Sequence, residues 1–105
     1  MRLRYYTSAR RDRPVADYIE GLGRADQAAI AVALTEVAER DLEARGVSFR
    51  QLDGKLWELR IGPHRICYVL RRVGEMVLLH GYRKQAQKAP ARHLEIARRR
   101  MREVL

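Results

Sequence analysis

Apolar residues recur at helical spacing through the first half of the chain. After Asp12-Arg13-Pro14, the spacing i, i+3, i+4, i+7 predicts a helix with Asp12 as its N-cap and Gly21 and Gly23 at its end. Its apolar positions are Val15, Tyr18, Ile19 and Leu22. A second helix is predicted from about residue 24 to residue 45, before Gly46. Its apolar positions are Ile30, Ala33, Leu34, Val37 and Ala38.

After Gly46 the pattern changes from helical spacing to alternation. Strands are predicted over residues 47–52, 56–61, 65–70 and 76–82, with turns at 62–64 and 73–74. Residues 2–6 form a strand-like start, and residues 92–105 have the spacing of an amphipathic helix. We therefore predict one α+β domain over residues 1–105. An antiparallel meander is covered on one face by the two N-terminal helices, and a C-terminal helix follows it.

The lengths of the turns predict which residues share a face of the sheet. We place Arg60 opposite Arg65 across the first turn and Arg72 opposite Glu75 across the second. The resulting core face is Trp57, Leu59, Ile61, Ile66, Tyr68, Leu70, Val77 and Leu79. The opposite face is Glu58, Arg60, Arg65, Cys67, His80 and Tyr82, with Leu56, Val69, Met76 and Leu78 toward one end.

Polar side chains converge at one end of that second face. Arg60 and Arg65 lie opposite each other there, beside His80 and Tyr82. Two opposed like charges destabilise a sheet unless an anion binds between them. Basic residues in the adjoining loops can extend this site: Lys55 before the first strand of the meander, then Arg83, Lys84 and Lys88 after the third. Solvated side chains explain these loop residues equally well.

The uneven distribution of charge along the chain says more about function than the overall composition does. The 105-residue chain carries 22 basic and 13 acidic side chains, but residues 1–50 hold only +1 of the net charge and residues 51–105 hold +8. Such a one-sided field attracts polyanions. A single cysteine, Cys67, excludes an internal disulfide, and no apolar run is long enough to span a membrane. We therefore expect a cytoplasmic protein with no membrane partner.

The side chains of residues 51–105 favour RNA as the substrate. The carboxylates in this half of the chain are widely spaced and its three histidines lack the spacing of metal ligands, so we expect no metal or other cofactor. Cleavage of a phosphodiester without metal is easiest in RNA, where the 2′-hydroxyl is the nucleophile. The protein then supplies a base, an acid and cations. His80 suits acid–base work, and Tyr82 can stack on a base or transfer a proton if nearby cations lower its pKa.

Several strings of this sequence resemble the phage-derived HigB branch of the RelE/ParE toxin superfamily. They are LWELR at 56–60, RICY at 65–68, VLLHGYRK at 77–84, QKAP at 87–90 and EIA at 95–97. The resemblance implies a RelE-like α+β toxin that cuts mRNA, usually in the ribosomal A site, and is neutralised by a cognate helix-turn-helix antitoxin. Arg60, Arg65 and Lys84 match the family's basic positions. Tyr82 stands where the family usually has Phe, and Gln85 where a second Lys is common.

Three functions are compatible with these observations. The first is an mRNA endoribonuclease, dependent on the ribosome or independent of it. The second is a ParE-like toxin that poisons DNA gyrase by binding alone, and the third is a basic nucleic-acid-binding module. A shared fold cannot separate the first two. The converging Arg, His and Tyr side chains favour the first, because a toxin that only binds a protein has no need of them.

Overall fold

The computed structural model describes residues 1–85 and 90–105 and confirms the α+β fold. Its elements, in chain order, are β1 (Arg2–Tyr5), α1 (Pro14–Glu20), α2 (Arg24–Arg40), a short 3₁₀ helix (Asp41–Glu43), β2 (Ser48–Asp53), β3 (Leu56–Ile61), β4 (His64–Arg72), β5 (Glu75–Arg83) and α3 (Ala91–Val104). The strands form one sheet in the order β1-β5-β4-β3-β2. The predicted three-stranded meander corresponds to β3, β4 and β5; β2 extends it by antiparallel pairing with β3, and β1 adds a parallel edge beside β5 that makes the sheet mixed.

The boundaries of the first two helices differ from the predicted ones. α1 begins at Pro14 with Arg13 as its N-cap residue, so the prediction of Asp12 as the cap is wrong. The backbone N–H of Asp12 instead donates to Ser8 Oγ at 3.0 Å, within the turn that precedes the helix. α2 ends at Arg40, before the predicted residue 45, because Asp41 adopts a positive φ of 56° that no helix continues through.

The sheet carries a hydrophobic core on each face. α1 and α2 cover the first face, where Val15, Ile30 and Val37 pack on residues of the strands. α3 covers the second face through Leu94, Ala97, Met101 and Val104. The face that we predicted to lie opposite the core is therefore a second core. α3 packs on it with its apolar stripe, while Arg99 and Arg102 point to solvent.

Two bulges in the β4–β5 hairpin explain which side chains were assigned to the wrong face. Arg71 is an extra residue on β4, and Leu79 is an extra residue on β5. Between them, Met76 and Leu78 face α1 and α2, whereas Val77 and Leu79 face α3, the reverse of the prediction. The two shifts cancel. The predicted pairs Arg72–Glu75 and Arg65–Tyr82 are therefore present. Between the bulges, Tyr68 pairs with Leu78 and Leu70 with Met76, so the predicted pairing of Tyr68 with Leu79 and of Leu70 with Val77 is wrong.

One end of the sheet gathers most of the residues of interest. Ile61 pairs with His64, and His64 pairs with Arg83, so the β3–β4 turn and the end of β5 lie side by side. The N–H of Lys84 donates to the carbonyl of Pro63 at 2.8 Å and continues this contact beyond the strand. Within the described ranges, no helix has the length and apolar character needed to cross a membrane.

Candidate nucleic-acid interface

Two predicted site residues, Arg65 and Tyr82, form a buried cluster with Glu58 across the middle strands. Arg65 is 6% exposed and its guanidinium donates to the carbonyls of Gly62 and His64 at 2.8 and 3.1 Å. Its Nε lies 4.0 Å from a carboxylate oxygen of the buried Glu58, and the phenol of Tyr82 donates to the other oxygen at 3.2 Å. The charge of Arg65 is thus balanced inside the protein, so its main contacts are structural.

Burial changes the acid–base character expected of Tyr82. The expectation that nearby cations lower its pKa is wrong. Burial raises the pKa of the Tyr82 phenol, the negative charge of Glu58 raises it further, and Arg65 opposes this only weakly. Tyr82 therefore stays protonated at neutral pH. Its ring still lies parallel to that of His93 with centroids 4.1 Å apart, which makes it part of an aromatic stack.

His80 joins β5 to α3. Its Nε2 lies 2.7 Å from Nδ1 of His93, and its Nδ1 lies 3.3 Å from a guanidinium nitrogen of Arg100. Burial, followed by the charges of Arg100 and His93, lowers the pKa of His80 to about 4. This imidazole is neutral at pH 7 and its nitrogens are already engaged, so its geometry suits holding α3 in place better than the acid–base work that we expected of it.

A surface cleft opens beside this stack, between α1, the end of β5 and the start of α3. Its volume is about 300 Å³. It is lined by Tyr18, Gly81, Tyr82, Arg83, Gln85, Pro90, Arg92 and His93. Aromatic rings and guanidinium groups thus share one concave surface, which is the combination that binds single-stranded nucleic acid through base stacking and phosphate contacts.

Of the other predicted basic residues, some line or adjoin this cleft and others lie away from it. Arg83 lines it, and Lys84 is exposed directly after it in the chain. Arg60 is half-buried, and no hydrogen bond or ion pair of its side chain occurs among the described residues. Lys55 lies in the β2–β3 turn at the opposite end of β3, a strand of six residues that spans about 17–20 Å. The expectation that Lys55 reaches this end is therefore wrong. Lys88 lies outside the described residues.

Sequence reasoning missed three residues that meet at the cleft, one lining it and two behind it. The phenol of Tyr18 on α1 lies 2.7 Å from Nδ1 of His64, the first residue of β4. Nε2 of His64 lies 3.3 Å from the carboxylate of Asp26 on α2, which is within ion-pair range but not aligned as a hydrogen bond. Tyr18 was assigned to an apolar stripe, and the long separation of the three residues along the chain hides their contact.

Gly81 in β5 is the feature of the sequence that could have indicated a close contact with another group, here the ring of Tyr18. A Cβ atom at Gly81 would lie 2.8 Å from Cδ2 of Tyr18, closer than such atoms approach. Glycine inside a strand often marks a site where another group comes close to the backbone. The Tyr18 ring therefore occupies a position over β5 that only a residue without a side chain allows.

The fold and the cleft define a small α+β protein with a basic, aromatic-lined surface. A model of the family described as "Phage derived protein Gp49-like (DUF891)" matches residues 17–102. The chain therefore belongs to the Gp49-like family of phage-derived proteins. The matched range contains every residue that lines the cleft, and Asp26 and His64 behind it. No curated protein matches the chain closely enough to count as a relative.

Proposed function

We propose that this protein is the toxin of a type II toxin–antitoxin pair and that it cleaves mRNA. Membership of a phage-derived family, the α+β fold and the strings that resemble HigB-like toxins support this class. The observation that carries the nuclease assignment is the cleft. It combines stacked aromatic rings with Arg83 and Arg92, in the half of the chain that holds +8 of the net charge.

The proposed chemistry uses the RNA's own 2′-hydroxyl as the nucleophile. Arg83 and Arg92 bind the phosphate and stabilise the charge that grows on it, because guanidinium groups pair with two phosphate oxygens at once. The stack of Tyr82 and His93 supports an unpaired base beside that phosphate. Arg60 on β3 and Lys84 after β5 add positive charge at the same end of the sheet. The proposal requires no metal and no other cofactor.

The resemblance to HigB-like toxins adds the setting in which this cleavage occurs. We propose that the mRNA is cut while it is bound to the ribosome and that a helix-turn-helix antitoxin holds the toxin inactive. A partner with acidic groups is favoured by the charge of the surface around the cleft. Acidic side chains placed over Arg83 and Arg92 would exclude RNA by occupying the same guanidinium groups.

Inducible expression followed by mapping of RNA 5′ ends tests the assignment. We expect growth arrest and new 5′ ends within mRNAs, and in a purified system a 2′,3′-cyclic or 3′-phosphate product that still forms in EDTA with ribosomes kept intact. Arg83→Ala combined with Arg92→Ala should reduce cleavage at least about 100-fold, the lower range for removal of charge-stabilising donors. The matched control is Arg2→Ala, an exposed arginine of β1 that lies beside the β4–β5 turn.

Each alternative function has its own outcome in these experiments. Growth arrest with intact mRNA and altered plasmid supercoiling would replace the nuclease with a toxin that binds gyrase. Harmless expression, with no neighbouring-gene product co-purifying, would leave a basic nucleic-acid-binding module.

A further inference from the structure

We propose that Tyr18 is a catalytic residue of the cleft, in which it accepts the proton of the attacking 2′-hydroxyl, and that His64 and Asp26 are positioning residues behind it. The inference rests on the proposed cleavage of RNA and adds the residue that starts the reaction. It also gives a role to a group of side chains that the strings resembling HigB-like toxins do not include.

The three side chains form a connected path from the cleft to the protein surface. Tyr18 lines the cleft and its phenol lies 2.7 Å from Nδ1 of His64. His64 is 1% exposed, and its Nε2 has no hydrogen-bond partner in the described part of the chain. The carboxylate of Asp26, 3.3 Å from that nitrogen, is about half exposed at 45%. A buried imidazole thus lies between one group that meets substrate and one that meets solvent.

The placement of Asp26 assigns the tautomer of His64. The negative charge of Asp26 beside Nε2 favours a proton on that nitrogen, although the two groups are not aligned as a hydrogen bond, so Nδ1 carries a lone pair and accepts from the Tyr18 phenol. This tautomer is inferred from the neighbouring groups. With its hydrogen directed at His64, the Tyr18 oxygen keeps its own lone pairs for a hydroxyl that enters the cleft.

The reaction balances without any further reagent. The 2′-oxygen bonds to phosphorus as its proton passes to the Tyr18 oxygen, and the phenol's original proton passes to Nδ1 of His64. The bond from phosphorus to the 5′-oxygen breaks, and that oxygen takes a proton from water in the open cleft. The imidazolium then returns its proton through Tyr18 to the resulting hydroxide. The products are a 2′,3′-cyclic phosphate and a 5′-hydroxyl end, and Asp26 stabilises the transient imidazolium.

Packing and charge hold this arrangement in place. The absence of a side chain at Gly81 leaves room for the Tyr18 ring against β5. The charged groups that face His64 come from three elements: Asp26 on α2, Arg83 opposite it on β5, and Arg65 on β4, which donates to the carbonyl of His64. Burial raises the pKa of Tyr18 and Arg83 opposes this, so the phenol stays protonated until His64 accepts its proton.

The first test compares two Tyr→Phe variants of the full chain in an RNA-cleavage assay, with ribosomes supplied if they are required. Tyr18→Phe keeps the ring over Gly81 and should lower the cleavage rate at least about 100-fold with little change in the RNA concentration needed for half-saturation. The control is Tyr5→Phe, whose phenol makes no hydrogen bond among the described residues and whose ring lies under Arg13. It should cleave like the wild type.

A second measurement separates the proton-accepting role from a structural one. In an RNA with sulfur in place of the scissile 5′-oxygen, the leaving group needs no proton. The Tyr18→Phe defect should therefore persist with this substrate. Restoration of the rate would overturn the assignment, because it would show that Tyr18 acts on the leaving group.

The positioning residues are tested by separating rate from binding. Asp26→Asn should lower the maximal cleavage rate less than Tyr18→Phe does and leave the RNA concentration for half-saturation unchanged, because a neutral amide no longer stabilises the transient imidazolium. A Tyr18→Phe protein that folds and cleaves at the wild-type rate, or an Asp26→Asn protein with an unchanged maximal rate, would overturn this inference alone. A wild-type chain that leaves RNA intact would overturn the proposed function instead.

Discussion

The two faces of the sheet are both buried, but they are stabilised in different ways. Under α1 and α2 most buried strand residues are apolar, and they include Leu59, Ile66 and Leu78, with His64 at one end as a polar exception. Under α3, apolar residues alternate with polar groups that need specific partners: Glu58 with Arg65 and Tyr82, and His80 with His93. The first face is stabilised mainly by the exclusion of water from its apolar side chains. The second also fixes the position of α3, and with it one wall of the cleft.

Of the changes that test the two faces, removal of α3 should have the largest effect on the stability of the fold. A chain that ends before Ala91 would expose Leu56, Val69 and Leu79, which are fully buried in the intact protein. We expect loss of cooperative thermal unfolding, followed by circular dichroism, and strong binding of a hydrophobic dye. Deletion of Leu105 alone, which is 51% exposed, is the matched control and should leave unfolding unchanged. A cooperative transition in the chain without α3 would show that the first face suffices.

Arg65→Ala should be the most damaging single change on the α3 side. It leaves the Glu58 carboxylate buried without its cation and removes the donor to Gly62 and His64. We expect the free energy of unfolding, measured with urea, to fall by about 3 kcal/mol. The control is Arg60→Ala, since Arg60 lies opposite Arg65 but is half-buried without a partner among the described residues. It should change stability by less than about 0.5 kcal/mol and weaken RNA cleavage.

Acid should weaken the attachment of α3 before it affects the apolar face. The pKa of His80 is about 4 in the folded protein, below the value near 6.5 of an unfolded chain, so the unfolded state binds the extra proton first. The stability supplied by neutral His80 is therefore complete above about pH 6.5 and lost as the pH falls toward 4. Partial exposure reduces the effect to about 1–2 kcal/mol. Urea unfolding at several pH values should show this slope, and His80→Gln should flatten it.

The exposed contact between α3 and the β2–β3 turn should contribute least to the free energy of unfolding. Arg98 pairs with Asp53 at 2.9 Å, with both side chains open to solvent. Arg98→Ala should lower the free energy of unfolding by less than about 0.5 kcal/mol. A loss as large as that of Arg65→Ala would mean that this surface pair helps to hold α3, contrary to the role we assign to the buried groups.

The sequence predicted the fold class and much of the strand pairing, because short turns and period-two alternation are local signals. The pairing of Arg60 with Arg65 follows from one turn containing Gly62, and it is confirmed. The faces of residues 76–79 were not predictable from alternation, since these four residues are all apolar and their pattern does not reveal a change of register.

The candidate site was harder to predict than the fold because its properties depend on contacts between distant elements. Charges near Tyr82 suggested a lowered pKa, but its burial beside Glu58 acts in the opposite direction. The partnership of Tyr18, His64 and Asp26 joins two helices and a strand, and no spacing in the sequence indicates it.

The paired bulges of the β4–β5 hairpin also determine where a change of length keeps the side chains on their faces of the sheet. At most positions in β5, loss of one residue would reverse every side chain beyond it and turn His80 and Tyr82 toward the wrong helix layer. Leu79 is the exception, because it is the extra residue and its removal would leave a regular ladder with the same faces. Arg71 has the same property on β4. Natural length variation within this hairpin should therefore fall at these two positions, as single residues gained or lost.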